Sequence, residues 1–571
     1  MSRIALQVPE RVPKRRAFLT AAKWNALVVP LREQLVGELR PSLRALFAAV
    51  ALLLLIACGN VMNLLLSRGN KRQKEIALRS ALGASRGRIA RQLIVESVVL
   101  SVFGGMLGLA LAYWGAAAAR SLGPSSAPLL DRTVVDIPVL AFLTGMAILT
   151  GILFGLAPAW QLMRTDPQAF LKDGQRTSQA AGPHRTAGSL VIVEVAVSLI
   201  LVAGTGLMLR SLNKITGVDP GFQSANRLTF SIVLPSMRYK APQRAIFVKS
   251  LMERMQSLPG VSAVGLIHSL PLAGTNDTST VAVKEHPTPS GSPRPSTEYR
   301  MITPGYIRAM GIPLLKGRDF VEQDNAQSRR VALIDERAAK DFWPGEEPLG
   351  REISFGDENW AEIVGVVGSV RNAGLDAVSL PQLYIPYAQD STPQFYVVLK
   401  TSVPPAELTK PVREAAATLD RSLAVFDIRT MDDRISASLS RRRGAVVLMV
   451  AFALVALVLA SVGIYGVIAF SVSGRMQEFG IRMALGADAG TVLRLVLLHG
   501  MKLAAVGVAL GVAGAMATNR LLKGLLFGIQ PDDPLTMGAV IILLCAVALL
   551  ACYVPARRAT RVDPMIALRY E

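Results

Sequence analysis

Long apolar runs alternate with short basic interruptions along most of this chain, and one broad stretch of mixed character, 211–442, breaks the alternation. A helix needs about 20 residues to cross about 30 Å of hydrocarbon. Seven runs are long enough: 45–66, 93–119, 137–163, 187–209, 445–472, 495–526 and 535–554. Each reads as a membrane span, and the sixth has length to spare for tilt or an interfacial turn. Within 211–442 the period changes. Short β-type runs (LTFSIVL, VALI, EIVGVVGSV, FYVVLK) alternate with helical ones (PQRAIFVKSLMERMQSLPGV, PAELTKPVREAAATLD). This pattern predicts an α+β domain, open to a division into two lobes about the loop EHPTPSGSPRPSTE.

Composition supports the membrane reading: 51% of the 571 residues are hydrophobic and mean hydropathy is +0.39. The net charge of +21 raises the question of nucleic acid, but the basic residues cluster beside the apolar runs, where the positive-inside rule places them. Between the first two spans lie Arg68, Lys71, Arg72, Lys74, Arg79, Arg86, Arg88 and Arg91 against Glu75; the next loop has only Asp131, Arg132 and Asp136. The first loop is therefore cytoplasmic. Alternation then puts 161–186, 475–494 and the C-terminal tail inside, all of them basic, and 211–442 outside. Residues 1–42 fall outside by the same count although they carry Arg11, Lys14, Arg15, Arg16 and Lys23 and no signal-peptide core. That misfit leads to the expectation of a span and most of a domain upstream, an N-terminally truncated chain. Cys58, Cys545 and Cys552 all sit in apolar runs, so no disulfide framework is expected.

The basic loop is repeated. EIALRSALGASRGRIARQLIVES (75–97) returns as EFGIRMALGADAGTVLRLVLLHG (478–500), at a constant offset of 403, with identity at Glu75/Glu478, Arg79/Arg482, Leu82/Leu485 and Gly83/Gly486 among others. The echo continues through Gly104 and Gly108, matched by Gly507 and Gly511, to RTDP at Asp166 and RVDP at Asp563. Three spans are thus duplicated in the same orientation. The predicted plan is a domain remnant at 1–42, a three-span unit at 43–163, a cytoplasmic linker at 164–186, a span at 187–210, the external domain at 211–442, a second three-span unit at 443–556 and a tail at 557–571.

Apolar positions in the repeated stretch recur at helical spacing, so each copy reads as a short amphipathic helix followed by a glycine break. Such a helix can lie against anionic headgroups. Retention of Glu, Arg and ALGA in both copies, while the surrounding basic residues are lost from the second, favours a docking surface. The glycine pairs Gly104/Gly108 and Gly507/Gly511 read as helix-packing positions. Glu194 is a carboxyl within an apolar run, costly in hydrocarbon, and reads as a functional group, a buried hydrogen-bonding group or a protonated acid. Asn60, Asn63 and Lys502 read as structural polar groups. His184, His268, His286 and His499 have no ligand spacing, no HExxH is present, and the chain has no Gly-Lys dipeptide and hence no Walker A loop. Neither an enzyme nor a bound cofactor is expected.

The E-x-x-(I/L)-R-x-A-L-G-A stretches, and the unit ending PARRATRVDP, resemble the MacB/FtsX-like permeases of ABC transporters, and the duplication resembles their duplicated orphan branch. The resemblance implies an α-helical inner-membrane protein with two parallel FtsX-like units and an extracytoplasmic MacB-like α+β domain. It further implies that Glu75, Arg79, Leu82 and Gly83, with Glu478, Arg482, Leu485 and Gly486, dock on a separate cytoplasmic ABC ATPase homodimer, one helix per protomer. Nucleotide-driven closure would move the external domain in an efflux system, with a periplasmic adaptor or outer-membrane conduit as further partners. A second reading is a regulatory mechanotransmitter that controls an extracytoplasmic enzyme or a signal.

Overall fold

The computed structural model describes residues 37, 40–81, 86–122, 136–164 and 181–560, apart from 275–276, 290–293, 356–358, 486–487, 523 and 525. Almost all of the expected remnant at 1–42, most of the linker and tail, and Leu82, Gly83 and Gly486 lie outside the described residues. In chain order the helices are α1 (Arg40–Ala81), α2 (Arg86–Leu122), α3 (Ile137–Arg164), α4 (Ala181–Thr216), α5 (Ala241–Gln256), α6 (Tyr306–Met310), α7 (Glu336–Phe342), α8 (Thr409–Leu419), α9 (Met431–Gly474), α10 (Met476–Ala484), α11 (Ala489–Leu522) and α12 (Pro534–Ala559). The strands are β1 (Arg227–Val233), β2 (Val261–Ile267), β3 (Thr278–Val283), β4 (Ser296–Ile302), β5 (Leu314–Gly317), β6 (Val331–Asp335), β7 (Glu352–Phe355), β8 (Trp360–Val367), β9 (Gln382–Pro386), β10 (Gln394–Thr401) and β11 (Phe426–Thr430). The chain divides into two units, one holding Asn213–Arg442 and the other Val36–Leu212 with Arg443–Glu571.

In the helical unit, α1, α2, α4, α9, α11 and α12 are long and apolar enough to cross a membrane. These fall on six of the seven predicted spans. The remaining one, 137–163, falls on α3, whose described apolar part is the shorter Ile137–Ile152. Inside lipid the helices gain nothing from hydrophobic transfer, so close packing has to hold them. The centre is α4: 67% of its apolar window is buried, against 6–33% in the other five. On one side Val197, Leu201 and Met208 of α4 pack with Ala49 and Ile56 of α1 and with Ala445, Met449 and Ala456 of α9. On another, Leu199 and Ala203 meet Ala515 of α11 and Val540 and Leu544 of α12. At one end, Arg210 pairs with Asp533, which also caps α12 by accepting from the Thr536 N–H at 2.9 Å.

The other unit is built on one 11-stranded sheet, in the order β11-β1-β10-β2-β4-β3-β7-β8-β6-β9, with β5 on β8 and a further parallel pairing of β4 with β9. That pairing closes β4, β3, β7, β8, β6 and β9 into a ring. With β5 set on β8 of the ring, the other four strands, β11, β1, β10 and β2, form an antiparallel extension that carries α5 and α8. The two lobes open in the sequence thus share one sheet and an apolar core that runs from Phe230, Leu251 and Val412 in the extension to Ile334, Ile363 and Ile385 in the ring, and a second apolar cluster gathers Ala263, Ile302, Met310, Leu333 and Val398. β6 and β9 are buried on both faces, and β6 accordingly carries the apolar run VALI up to Asp335. On β4, fully buried Arg300 lies 3.3 Å from the Glu298 carboxylate and donates to the Ser269 carbonyl at 3.2 Å, while Asn372 donates to the same carboxylate. A buried ion pair survives only with such added bonds.

Candidate functional site

The second copy of the repeated stretch forms α10, a helix of nine residues between α9 and α11. Its amphipathic pattern divides it into two faces. Phe479 is buried, 3% exposed, among Ile468 and Val472 of α9 and Val492 and Val496 of α11, with Met483 half-buried beside it. On the opposite face Glu478, Ile481 and Arg482 are exposed, and Leu485, just past the helix, is 83% exposed. Arg482 donates to the Glu478 carboxylate at 2.5 Å, one helical turn apart. The acid stands in the first turn and the base in the last, which suits the helix dipole. A large apolar side chain stands uncovered beside a charge pair, on a helix anchored from behind by an aromatic. It offers no chemistry.

The first copy is arranged differently. Glu75 and Arg79 lie on α1, which runs unbroken from the span through Ala81, whereas the second copy breaks between Gly474 and Met476.

The two glycine pairs also occupy different surroundings. A Cβ at Gly507 would stand 2.7 Å from Val195 Cβ and 2.9 Å from the Ile192 carbonyl; one at Gly511 would stand 2.8 Å from Leu199 Cβ. Both glycines therefore let α11 lie directly on α4. At Gly104 and Gly108 a Cβ would meet nothing within 4 Å among the described residues. The close approach of α2 to α3 is made instead by Gly151, where a Cβ would stand 2.7 Å from Val98 Cα.

Glu194, on α4, is 1% exposed and neither carboxyl oxygen has a hydrogen-bond partner among the described residues. Its Oε1 lies 2.7 Å from where a Cβ at Gly59 of α1 would be, and its Oε2 would collide with one at Gly463 of α9. Asn60 Oδ1 stands 2.7 Å from that same point over Gly463, and Asn60 Nδ2 donates to the Leu459 carbonyl at 2.9 Å. One turn along α1, both amide atoms of Asn63 are enclosed and unpartnered among the described residues. Under the offset of 403, Asn60 and Gly463 are equivalent positions of the repeat. The glycines at 59 and 463 carried no signal of this in the sequence; Glu194 did.

In the strand-rich unit His268 accepts from the Met301 N–H through Nδ1 at 2.9 Å and meets Asp277 through Nε2 at 2.8 Å, while burial pushes its pKa down. This is a structural histidine. No group of three or more metal-ligating side chains occurs among the described residues.

Comparison with known proteins adds two matches. The FtsX-like permease C-terminal model matches residues 47–167 and again 450–564, and the MacB-like periplasmic core domain model matches 186–415. The two FtsX-like matches begin at the offset of the repeat. Among relatives, the macrolide export ATP-binding/permease protein MacB of Mannheimia succiniciproducens is 26% identical over 292 residues, 48% of this chain and 44% of that protein. The Escherichia coli protein of the same name is 28% identical over 282 residues, 47% of this chain and 42% of its own length. The chain thus spans less than half of either relative. The Azoarcus protein of that name matches 72% of this chain and 61% of itself at 24% identity. Two FtsX-like matches, a MacB-like domain between them and helices able to span the bilayer lead to one conclusion: this chain belongs to the MacB/FtsX-like permeases, multi-pass inner-membrane proteins of the ABC transporter class with a MacB-like extracytoplasmic domain.

Proposed function

We propose that the chain is the permease of an efflux system driven by a separate cytoplasmic ABC ATPase, and that the two repeated stretches are its docking elements, one for each ATPase protomer. The observation that carries this reading is the two-faced α10: Phe479 fixed in the bundle, Glu478, Ile481, Arg482 and Leu485 left exposed on the other face. A helix seated in this way passes displacement to α9 and α11, because Phe479 touches both. A closure of the ATPase dimer that pulls on α10 therefore moves α9, and α9 follows β11 without a break in the chain. The work would reach the extracytoplasmic domain by mechanical transmission. That domain is the part available to a periplasmic adaptor or outer-membrane conduit.

The test is co-purification of the ATPase with the chain from its native host. Arg79→Glu combined with Arg482→Glu is expected to abolish ATPase recovery while leaving the amount of membrane-inserted chain unchanged, since both positions lie outside the apolar windows. Undiminished recovery would remove the docking role. Stimulation of partner ATP hydrolysis by a small molecule would support export; a stable extracytoplasmic protein partner without cargo would support regulation instead.

A further inference from the structure

The carboxyl of Glu194 is enclosed by three helices, α4 that bears it and α1 and α9 that belong to the two copies of the repeat. Two features of this enclosure bear on what it holds. Asn60 commits its amide donor to the Leu459 carbonyl, so the atom it turns toward Gly463 and Glu194 is Oδ1, which only accepts. Oε2 of Glu194 lies over the same glycine. Two acceptors that converge on one glycine inside the bundle repel unless something positive lies between them. The glycines at 59 and 463 bring backbone close to the carboxyl oxygens, and Glu194 is not part of any group of three or more His, Cys, Asp or Glu side chains among the described residues, whereas a metal ion takes a full set of oxygen ligands. A proton needs none.

We propose that Glu194 is a proton-binding site at the junction of the two repeats, its acid form donating a hydrogen bond to Asn60 Oδ1. The ionisable side chains nearest the middle of the surrounding helices include Cys58 on α1, Tyr465 on α9, His499 and Lys502 on α11 and Cys545, Cys552 and Tyr553 on α12, with Arg44, Arg185, Arg210, Arg443, Arg494, Arg520, Arg557 and Arg558 toward the helix ends; neither carboxyl oxygen of Glu194 has a hydrogen-bond partner among the described residues. The bound proton closes the polar contact between α1 and α4, and a movement that parts these helices takes the acceptor away from the acid. Binding of the proton and closure of the junction are linked, each favouring the other. This inference stands on the bundle geometry and does not depend on ATPase docking.

Infrared spectroscopy of the full chain in lipid vesicles reads the proton directly. The carbonyl stretch of a protonated carboxylic acid is expected at neutral pH, lost in Glu194→Gln and unaltered when sodium chloride replaces choline chloride. Glu194→Gln keeps a donor toward Asn60 and is expected to insert and melt like the parent chain. Should it fail to fold, Asn60→Leu gives a second reading: loss of the acceptor moves the same band to higher frequency. Absence of a protonated-acid band attributable to Glu194 at neutral pH, or its disappearance on adding sodium, would overturn the proposal, the latter in favour of a cation site.

Discussion

Tyr239 donates its hydroxyl to Asp420 at 2.7 Å, the Ser422 hydroxyl and N–H donate to the other carboxylate oxygen at 2.7 and 2.9 Å, and Arg238 closes in at 3.0 Å. Led by the Tyr239 bond, these donors hold the Asp420 pKa at about 2, below the ordinary value of about 3.9. A depressed carboxylate adds stability that is fully present above the unfolded value and is lost as pH falls through the folded one. Tyr239→Phe keeps the ring on Phe247 and removes the donor. Its denaturation midpoint, followed by tryptophan fluorescence, should lie below that of the parent chain at neutral pH, and the gap should narrow as pH falls toward 2. A gap that does not change with pH would assign the loss to packing. The glycines give a second residue-scale prediction. An added methyl at Gly507 or Gly511 forces α11 off α4, an overpacking cost of about 1–3 kcal/mol, so Gly507→Ala and Gly511→Ala should melt earlier in detergent. Gly104→Ala and Gly108→Ala should not.

Among the elements, α10 depends on one anchor. Phe479→Ala opens a cavity between α9 and α11, with a cost of about 3–5 kcal/mol for a fully buried ring, and detaches the exposed face from the helices it would move. Limited trypsin digestion of the solubilised chain is expected to cut faster at Arg475 and Arg482 in this variant, while the apolar spans stay protected. Unchanged cleavage would mean that α10 is held by its chain connections alone. The comparison of α10 with α1 also marks the limit of what a repeat conveys. Equivalent residues Glu75 and Glu478 sit, respectively, within one long helix and on a separate short one. Identity at the motif does not fix helix continuity, because a break depends on the turn residues around it, and these differ between the copies.

For the molecule as a whole, placing 211–442 outside and the repeated loops inside makes a prediction that labelling can check. With Cys58, Cys545 and Cys552 replaced by serine, Lys410→Cys should react with an impermeant maleimide on intact spheroplasts, and Asp488→Cys only after permeabilisation. Six of the seven spans and the duplication were legible in the amino-acid sequence for a physical reason: lipid admits only contiguous apolar segments whose backbone is satisfied internally. The α+β character of 211–442 was legible from local periods, and so was the two-faced pattern of α10. What only the tertiary structure decided is which distant positions meet. The β4–β9 pairing that closes the ring, the seating of Gly507 and Gly511 but not Gly104 and Gly108, and the enclosure of Glu194 by Gly59, Asn60 and Gly463 join residues far apart in the chain. Hydrophobic pattern states that a segment is buried. It carries no record of the partner, because close packing is set by the shapes of both surfaces at once.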